Sequence, residues 1–287
     1  MFSTTTKPVK LAHKSFEPTL GIKHDVPILF LHGITASKEH WFEIPQIVAD
    51  ATSRKVYAVD ARDHGDSEWS DDFSFDANII DTLHFIDEIK AEKVILVGHS
   101  MGGVTSIKSA LRAPDKIEKI IVEDMGVKRP SNNRLKIIKM YQQLAQEAVK
   151  VVPPGISEKD AKKIIADFIY NAVPEALKPF AISKEKDPRL NLKQNPDGSW
   201  NYKTNLKALE NALSKGNAIS EEPKGVYTGP AYFIYGKESP IKVGEDEKTI
   251  KSFFPNAVFV GIENASHSVH TDAPLPFTEA LLKFLKE

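Results

Sequence analysis

A chain of 287 residues can bury a large core, and the length suits one α/β domain carrying an insertion. Its 38 Lys and Arg nearly balance 39 Asp and Glu, so a formal net charge of −1 gives no reason to expect nucleic acid or an anionic membrane surface as a partner. There is no cysteine, which excludes disulfides, thiolate metal sites and a cysteine nucleophile.

No apolar run reaches the roughly 20 residues of a membrane span, and the N-terminus lacks the apolar core of a signal peptide. Lys7, Lys10 and Lys14, with no acid before Glu17, faintly suggest a transit peptide. Residues 9–16, however, alternate like a strand at an antiparallel edge. The expectation is a cytoplasmic protein without an integral membrane segment.

Residues 27–31, Pro-Ile-Leu-Phe-Leu, read as a buried strand, followed at once by His32-Gly33-Ile34. Gly33 would let the chain turn so that the Ile34 N–H points at a substrate oxygen. A helix pattern runs through Trp41, Phe42, Ile44, Ile47 and Val48. Residues 56–59 form another buried strand, ending in the polar cluster Asp60-Ala61-Arg62-Asp63-His64-Gly65-Asp66-Ser67. Short polar side chains at a strand end satisfy turn amides, so His64 reads as scaffold. Helical spacing returns with Ile79, Ile80, Leu83, Ile86 and Ile89.

Residues 94–97, Val-Ile-Leu-Val, form a strand suited to burial on both faces, and 104–112 continue as a helix until Pro114. Between them stands Gly98-His99-Ser100-Met101-Gly102, a G-x-S-x-G in the strand–turn–helix context that such a nucleophile demands. Small residues flank the serine because a side chain there would collide with the turn. Ser100 is thereby lifted clear of the sheet at a helix N-terminus, where developing negative charge is favoured. The next strand, residues 117–122, ends in Glu123-Asp124.

From 126 to 229 no strand of the buried type is evident. Helical runs at 135–151 and 158–170 alternate with breakers such as Pro153-Pro154-Gly155 and Asn195-Pro196-Asp197-Gly198. This reads as a mostly helical cap, inserted in a core formed by 1–125 and 230–287. Strands resume at 231–235 and 258–262 around a helix at 247–254; a polar loop, Asn264-Ala265-Ser266-His267, precedes a closing helix at 277–285. Strands alternating with helices imply a mostly parallel sheet flanked by helices.

Phe30-Leu31-His32-Gly33, Val59-Asp60-Ala61-Arg62, Asp63-His64-Gly65-Asp66-Ser67, the segment 97–103 and, in the cap, 198–209 resemble the α/β-hydrolase fold from about residue 9 to the end. The likeness is to the abhydrolase-domain-containing protein 11 subfamily, with fungal ethanol acetyltransferases as near relatives. It implies a serine hydrolase acting on acyl esters as small-molecule substrates, with neither metal nor organic cofactor, and leaves a mitochondrial location open. Two departures stand out. Ser266 precedes the late histidine where many members have Gly, and the loop after Tyr235 reads Gly236-Lys237-Glu238-Ser239 where many place their acid.

A serine needs a base, and histidine is the natural one near neutral pH. Of nine histidines, His267 lies where the family carries its base, with His270 as rival. Asp124 and Glu238 both satisfy the chain order Ser–acid–His. The shorter, stiffer carboxylate and the spacing from Ser100 kept in the resembled subfamily favour Asp124. Lys237 and Lys242 are positioned to pair with Glu238. Strand alternation turns Glu123 and Asp124 to opposite faces. The backbone N–H groups of Ile34 and Met101 would form the oxyanion hole. Three readings remain: an esterase or lipase-like hydrolase, an acyltransferase using an alcohol acceptor, and a ligand-binding protein on the same fold.

Overall fold

A parallel strand buried on both faces must be covered from both sides, and this requirement organises the molecule. The computed structural model describes residues 6–129, 131–180, 190–215 and 223–287. Among these, the main sheet has seven strands in the order β1-β3-β2-β4-β5-β8-β9. The strands are β1 (His13–Phe16), β2 (His24–Leu31), β3 (Arg54–Val59), β4 (Val94–His99), β5 (Ile117–Glu123), β8 (Ala231–Gly236) and β9 (Ala257–Ile262). Only β1 runs antiparallel to its neighbour. The edge strand expected over 9–16 therefore covers only its second half, since Ala12 and Val9 bond to side chains of the next layer instead, the Ala12 amide to Ser67 and the Val9 amide to Asp81.

Side-chain alternation divides the core. Leu29 and Leu31 of β2, Leu96 of β4, Val122 of β5 and Phe233 of β8 face α2 (Phe75–Glu88), α3 (Met101–Arg112) and α7 (Glu247–Phe253). Ile28, Phe30, Ile95, Val97, Ile121 and Ile234 face α1 (Ile44–Thr52) and α9 (Pro274–Lys286). The helix expected around Trp41 is split. A 3₁₀ turn (Lys38–Trp41) buries Trp41, Phe42 takes φ 51°, and only then does α1 begin.

From β2 the chain steps to β3 on one side, then crosses back to β4 on the other. The strand order reverses there, and the loops leaving β2 and β4 meet at the C-terminal edge, where such sheets bind ligands.

Between β5 and β8 lie α4 (Asn132–Lys150), α5 (Glu158–Ala172), a hairpin of β6 (Leu192–Gln194) and β7 (Trp200–Tyr202), and α6 (Leu206–Lys215). Ser131 and Ser157 cap α4 and α5 through their hydroxyls. Ala148, Ile165 and Leu209 from this region pack with Phe73, Phe75 and Met101 of the sheet layer. The hairpin was not expected. Its three-residue strands are too short to show a period, and Gly198, at φ 83°, turns the chain between them. Residues 130, 181–189 and 216–222 of the expected insertion lie outside the described residues.

The loop after β3 joins these parts. The Asn205 amide donates to the Asp63 carbonyl at 2.8 Å and its side chain to Asp63 Oδ1 at 2.9 Å, while Lys203 reaches Asp66 at 2.8 Å. Arg62, 1% exposed, grips Asp81 with two hydrogen bonds of 2.6 and 2.9 Å. Breaking one side of such a buried pair costs about 3–5 kcal/mol. His64 is fully buried; its Nδ1–H donates to the Arg62 carbonyl and its Nε2 accepts from the Thr35 amide. Its partner His32 donates from Nδ1 to the Gly33 carbonyl and accepts at Nε2 from the Ala61 amide. Both rings are thus used in the neutral form.

Burial lowers the pKa of His64 to about 4 and that of His32 well below the usual value. In the unfolded chain each would titrate near ~6.5. On acidification the unfolded state therefore takes up protons that the fold refuses, and stability is lost as pH falls from about 6.5 towards 4. Glu123, pushed up to about 7 by burial, opposes this trend over part of the window. A comparison at one site isolates the histidine: the stability gap between the natural protein and His64→Gln should shrink between pH 7.5 and pH 5 in urea titrations. A gap independent of pH would contradict the account.

Candidate active site

The site begins with a close approach of backbones. Gly102 stands where an added Cβ would lie 2.0 Å from the Leu31 carbonyl oxygen, and a Cβ on Gly98 would lie 2.3 Å from the Gly102 oxygen. Only glycine lets the first turn of α3 sit against β2 and β4 at this distance. The chain between them is forced through φ 52° at Ser100, a region that non-glycine residues rarely occupy. The strained turn sets the Ser100 side chain at the N-terminus of α3, above the C-terminal ends of β4 and β5.

Ser100 Oγ lies 2.9 Å from His267 Nε2, and His267 Nδ1 lies 2.7 Å from Asp124 Oδ2. The carboxylate can only accept, so Nδ1 carries the proton and Nε2 is free to accept the serine proton. Asp124 is fully buried, Ser100 is 8% exposed, and the His267 side chain is 35% exposed. Asp124 also takes φ 46°. Its Oδ1 accepts from the Gly236 amide at 3.2 Å, and its Oδ2 from the Ser239 hydroxyl. All three residues singled out from the sequence thus meet in one hydrogen-bonded chain.

Glu238 is exposed and stands apart from that chain; its amide bonds the Ala265 carbonyl. The lysines expected to pair with it have other partners, Lys237 with Glu263 and Lys242 with Glu245. In the sequence Ser239 stands out only as a departure from the family pattern. It turns inward, and its hydroxyl holds Asp124 at the end of β5.

Glu123 and Asp124 do face opposite ways. Glu123 is buried on the α1 and α9 side, where Oε1 accepts from the His270 amide at 2.9 Å and from its Nδ1 at 2.7 Å. His270, on the short helix α8 (Val269–Asp272), packs 4.8 Å from the Trp41 ring and 5.3 Å from His99. It is therefore turned away from Ser100. His99 completes this layer: its Nε2–H donates to the His267 carbonyl at 3.0 Å, and burial lowers its pKa to about 3. His99, Glu123 and His270 offer ligating atoms within 4.8 Å of one another. Here their polar atoms hold the 267–270 loop in place from beneath. Sequence reading missed this layer because its members come from three distant segments.

Gly33 has a different reason from the one expected. The positive φ falls at Thr35, at 62°, while a Cβ on Gly33 would lie 2.7 Å from His99 Nδ1. The glycine makes room for the ring. Ile34 and Met101 border the same cavity as Ser100. Met101 opens α3, so the helix has no carbonyl for its amide, and neither that N–H nor the one of Ile34 is taken by an acceptor among the described residues. Two donors flanking a hydroxyl can stabilise an oxyanion, an arrangement suited to acyl transfer.

The cavity has a volume of about 100 Å³ and a mainly apolar wall, to which Phe73, Phe75, Val104, Ile107 and Ile138 contribute. This is below the few hundred Å³ usual for larger ligands. Among the described residues no helix is long and apolar enough to cross a membrane.

Comparisons with known proteins agree with this architecture. Residues 28–280 match the model of the alpha/beta hydrolase family. The chain is 30% identical over 283 residues to sn-1-specific diacylglycerol lipase ABHD11 of Danio rerio, covering 98% of this chain and 84% of that protein. It is 25% identical to a probable alcohol acetyltransferase of Wickerhamomyces anomalus, covering 97% of this chain and 86% of the other. Among solved structures, a marine microorganism esterase superposes with a TM-score of 0.77 at 28% identity, covering 96% of this chain and 99% of that one. With the G-x-S-x-G turn on β4, a parallel sheet of this order and a family match across most of its length, the chain belongs to the alpha/beta hydrolase family and is similar to ABHD11.

Proposed function

We propose that the protein hydrolyses carboxylic esters through an acyl-enzyme on Ser100. The observation that carries this reading is the unbroken chain from Ser100 Oγ through His267 to Asp124, at 2.9 and 2.7 Å. In the first half-reaction His267 Nε2 takes the serine proton as Oγ attacks the ester carbonyl, then returns it to the departing alcohol. Asp124 fixes the imidazole tautomer and stabilises the imidazolium; the amides of Ile34 and Met101 hold the oxyanion. One such donor is typically worth ~3 kcal/mol in the transition state. Water then repeats the sequence in reverse and frees the acid. No step calls on a cofactor.

Residues 126–229 act in this reading as a cap that selects substrates, in support of which Met101, Phe73 and Phe75 share an apolar cluster with α4–α6. A second reading keeps the same acyl-enzyme but passes the acyl group to an alcohol. The similarity to a probable alcohol acetyltransferase favours keeping it in view.

Ser100→Ala should abolish both ester turnover and labelling by a fluorophosphonate while leaving the far-UV CD spectrum unchanged. Persistent labelling of that variant would refute Ser100 as the nucleophile, and no labelling of the natural protein would leave ligand binding as the better reading. Asp124→Asn should lower kcat by several powers of ten, on the order of 10⁴ in the serine-protease precedent, and Glu238→Gln should change it little. The reverse order would move the acid to the loop after β8. Adding ethanol to a turnover assay separates the two chemistries: for a hydrolase the free acid remains the main product, whereas an acyltransferase yields chiefly the ethyl ester. Grafting residues 126–229 onto another family member should carry substrate preference with the graft, and a preference that stayed with the recipient core would refute the cap's role.

A further inference from the structure

The cavity beside Ser100 carries a charge pattern that a neutral acyl chain does not require. Four cationic residues border it, Lys108, Lys128, Arg129 and Arg134, and among the described residues no acidic one lines it. The bulk composition does not explain this, because the formal net charge of the chain is −1. Lys128 and Arg129 are exposed at the rim, and Lys128 is paired with Asp246.

The other two cations lie deeper. Lys108, on α3, is 6% exposed and holds its ammonium 5.6 Å from the centre of the Phe75 ring. Arg134 sits in the first turn of α4, which the Ser131 hydroxyl fixes by accepting the Arg134 amide. It is half-buried, and among the described residues no carboxylate lies within ion-pair distance of its guanidinium. The negative charge that acts on it is that of Asp124, already committed to His267.

Withdrawing a guanidinium from water without a partner is unfavourable, and the burial acts to lower its pKa. A cation also stands at the positive end of α4, where the helix dipole disfavours it. Both costs disappear when an anion fills the cavity beside Arg134. A carboxylate matches the planar fork of an arginine with two parallel hydrogen bonds. The small, otherwise apolar cavity limits what lies between that anion and the reacting carbonyl to a few carbons.

We propose that this cavity selects short esters that carry a carboxylate, with Arg134 as the anion-binding residue. The proposal rests on the ester-hydrolase reading and specifies its substrate class. The chemistry at the ester is unchanged. Oγ of Ser100 bonds to the carbonyl carbon, the alcohol leaves with the proton held by His267, and water releases the acid; the bound carboxylate keeps its charge throughout.

The test compares esters of matched length, following the free acid by chromatography. Monoethyl succinate places the carboxylate on the acyl side, against ethyl pentanoate as its neutral counterpart. Glycolic acid butyrate places it on the alcohol side, against propyl butyrate. The charged member of at least one pair should be preferred in kcat/KM by about tenfold to a hundredfold, the range of one charge-assisted hydrogen-bond pair. The pair that responds tells which side of the ester faces Arg134. Arg134→Gln should reduce that preference to near unity, mainly through KM, and Arg134→Lys should retain part of it. Equal turnover within both pairs, preference for the neutral esters, or a preference undiminished in Arg134→Gln would each overturn the proposal while leaving the hydrolase reading intact. No turnover of any of the four esters, together with no fluorophosphonate labelling, would overturn both.

Discussion

The closeness of α3 to β2 is the constraint on which the remaining geometry depends. A helix can enter directly from the end of a buried strand only if the turn between them is sharper than side chains at its base permit. Gly98 and Gly102 remove those side chains, and Ser100 takes the resulting strain in its backbone. Such a conformation costs on the order of 1–3 kcal/mol and persists only where the surroundings over-determine it. Here the surroundings are Val94, Ile95, Leu96 and Val97 on one side of the turn and Ile107 and Ala110 on the other, all nearly or fully buried. Core packing therefore maintains the reactive turn.

A second consequence comes from the two-residue period of the strands. At the end of β5, Glu123 and Asp124 are consecutive and cannot face the same way. The buried carboxylate of Glu123 meets His270 and the layer above α1 and α9; that of Asp124 meets His267, Ser239 and Gly236. The same division separates His99 from Ser100 at the end of β4. One layer contains the reacting groups and the other anchors the loop that delivers His267, through the His267 carbonyl and the His270 amide. Glu123, His99 and Asp124 each thereby gain a hydrogen bond in place of water.

Histidines occupy several buried positions close to one another, and their protonation states follow from their surroundings. His32, His64 and His99 are almost fully buried, which disfavours the imidazolium. Neutral rings can both donate and accept, and His32 and His64 use this to connect backbone donors and acceptors across loops that no strand joins. His267 differs in being partly open to solvent and in contact with a carboxylate.

The sequence by itself determined the parallel sheet, the order of its elements and the serine turn. These depend on local periods and on glycine placement, which neighbouring residues display directly. That Ser100, Asp124 and His267 reach one sheet edge was legible for the related reason that each ends a strand or follows the last one, whereas preferring them to Glu238 and His270 leaned on the family resemblance. Only the tertiary structure decided the partners of those groups. Ser239 holding Asp124 and His99 beneath His267 depend on side-chain directions across segments more than a hundred residues apart. The purpose of Gly33, the three-residue strands of the β6–β7 hairpin and the cations around the cavity were hidden likewise. None leaves a periodic trace, because each is defined by what packs against it rather than by what precedes or follows it in the chain.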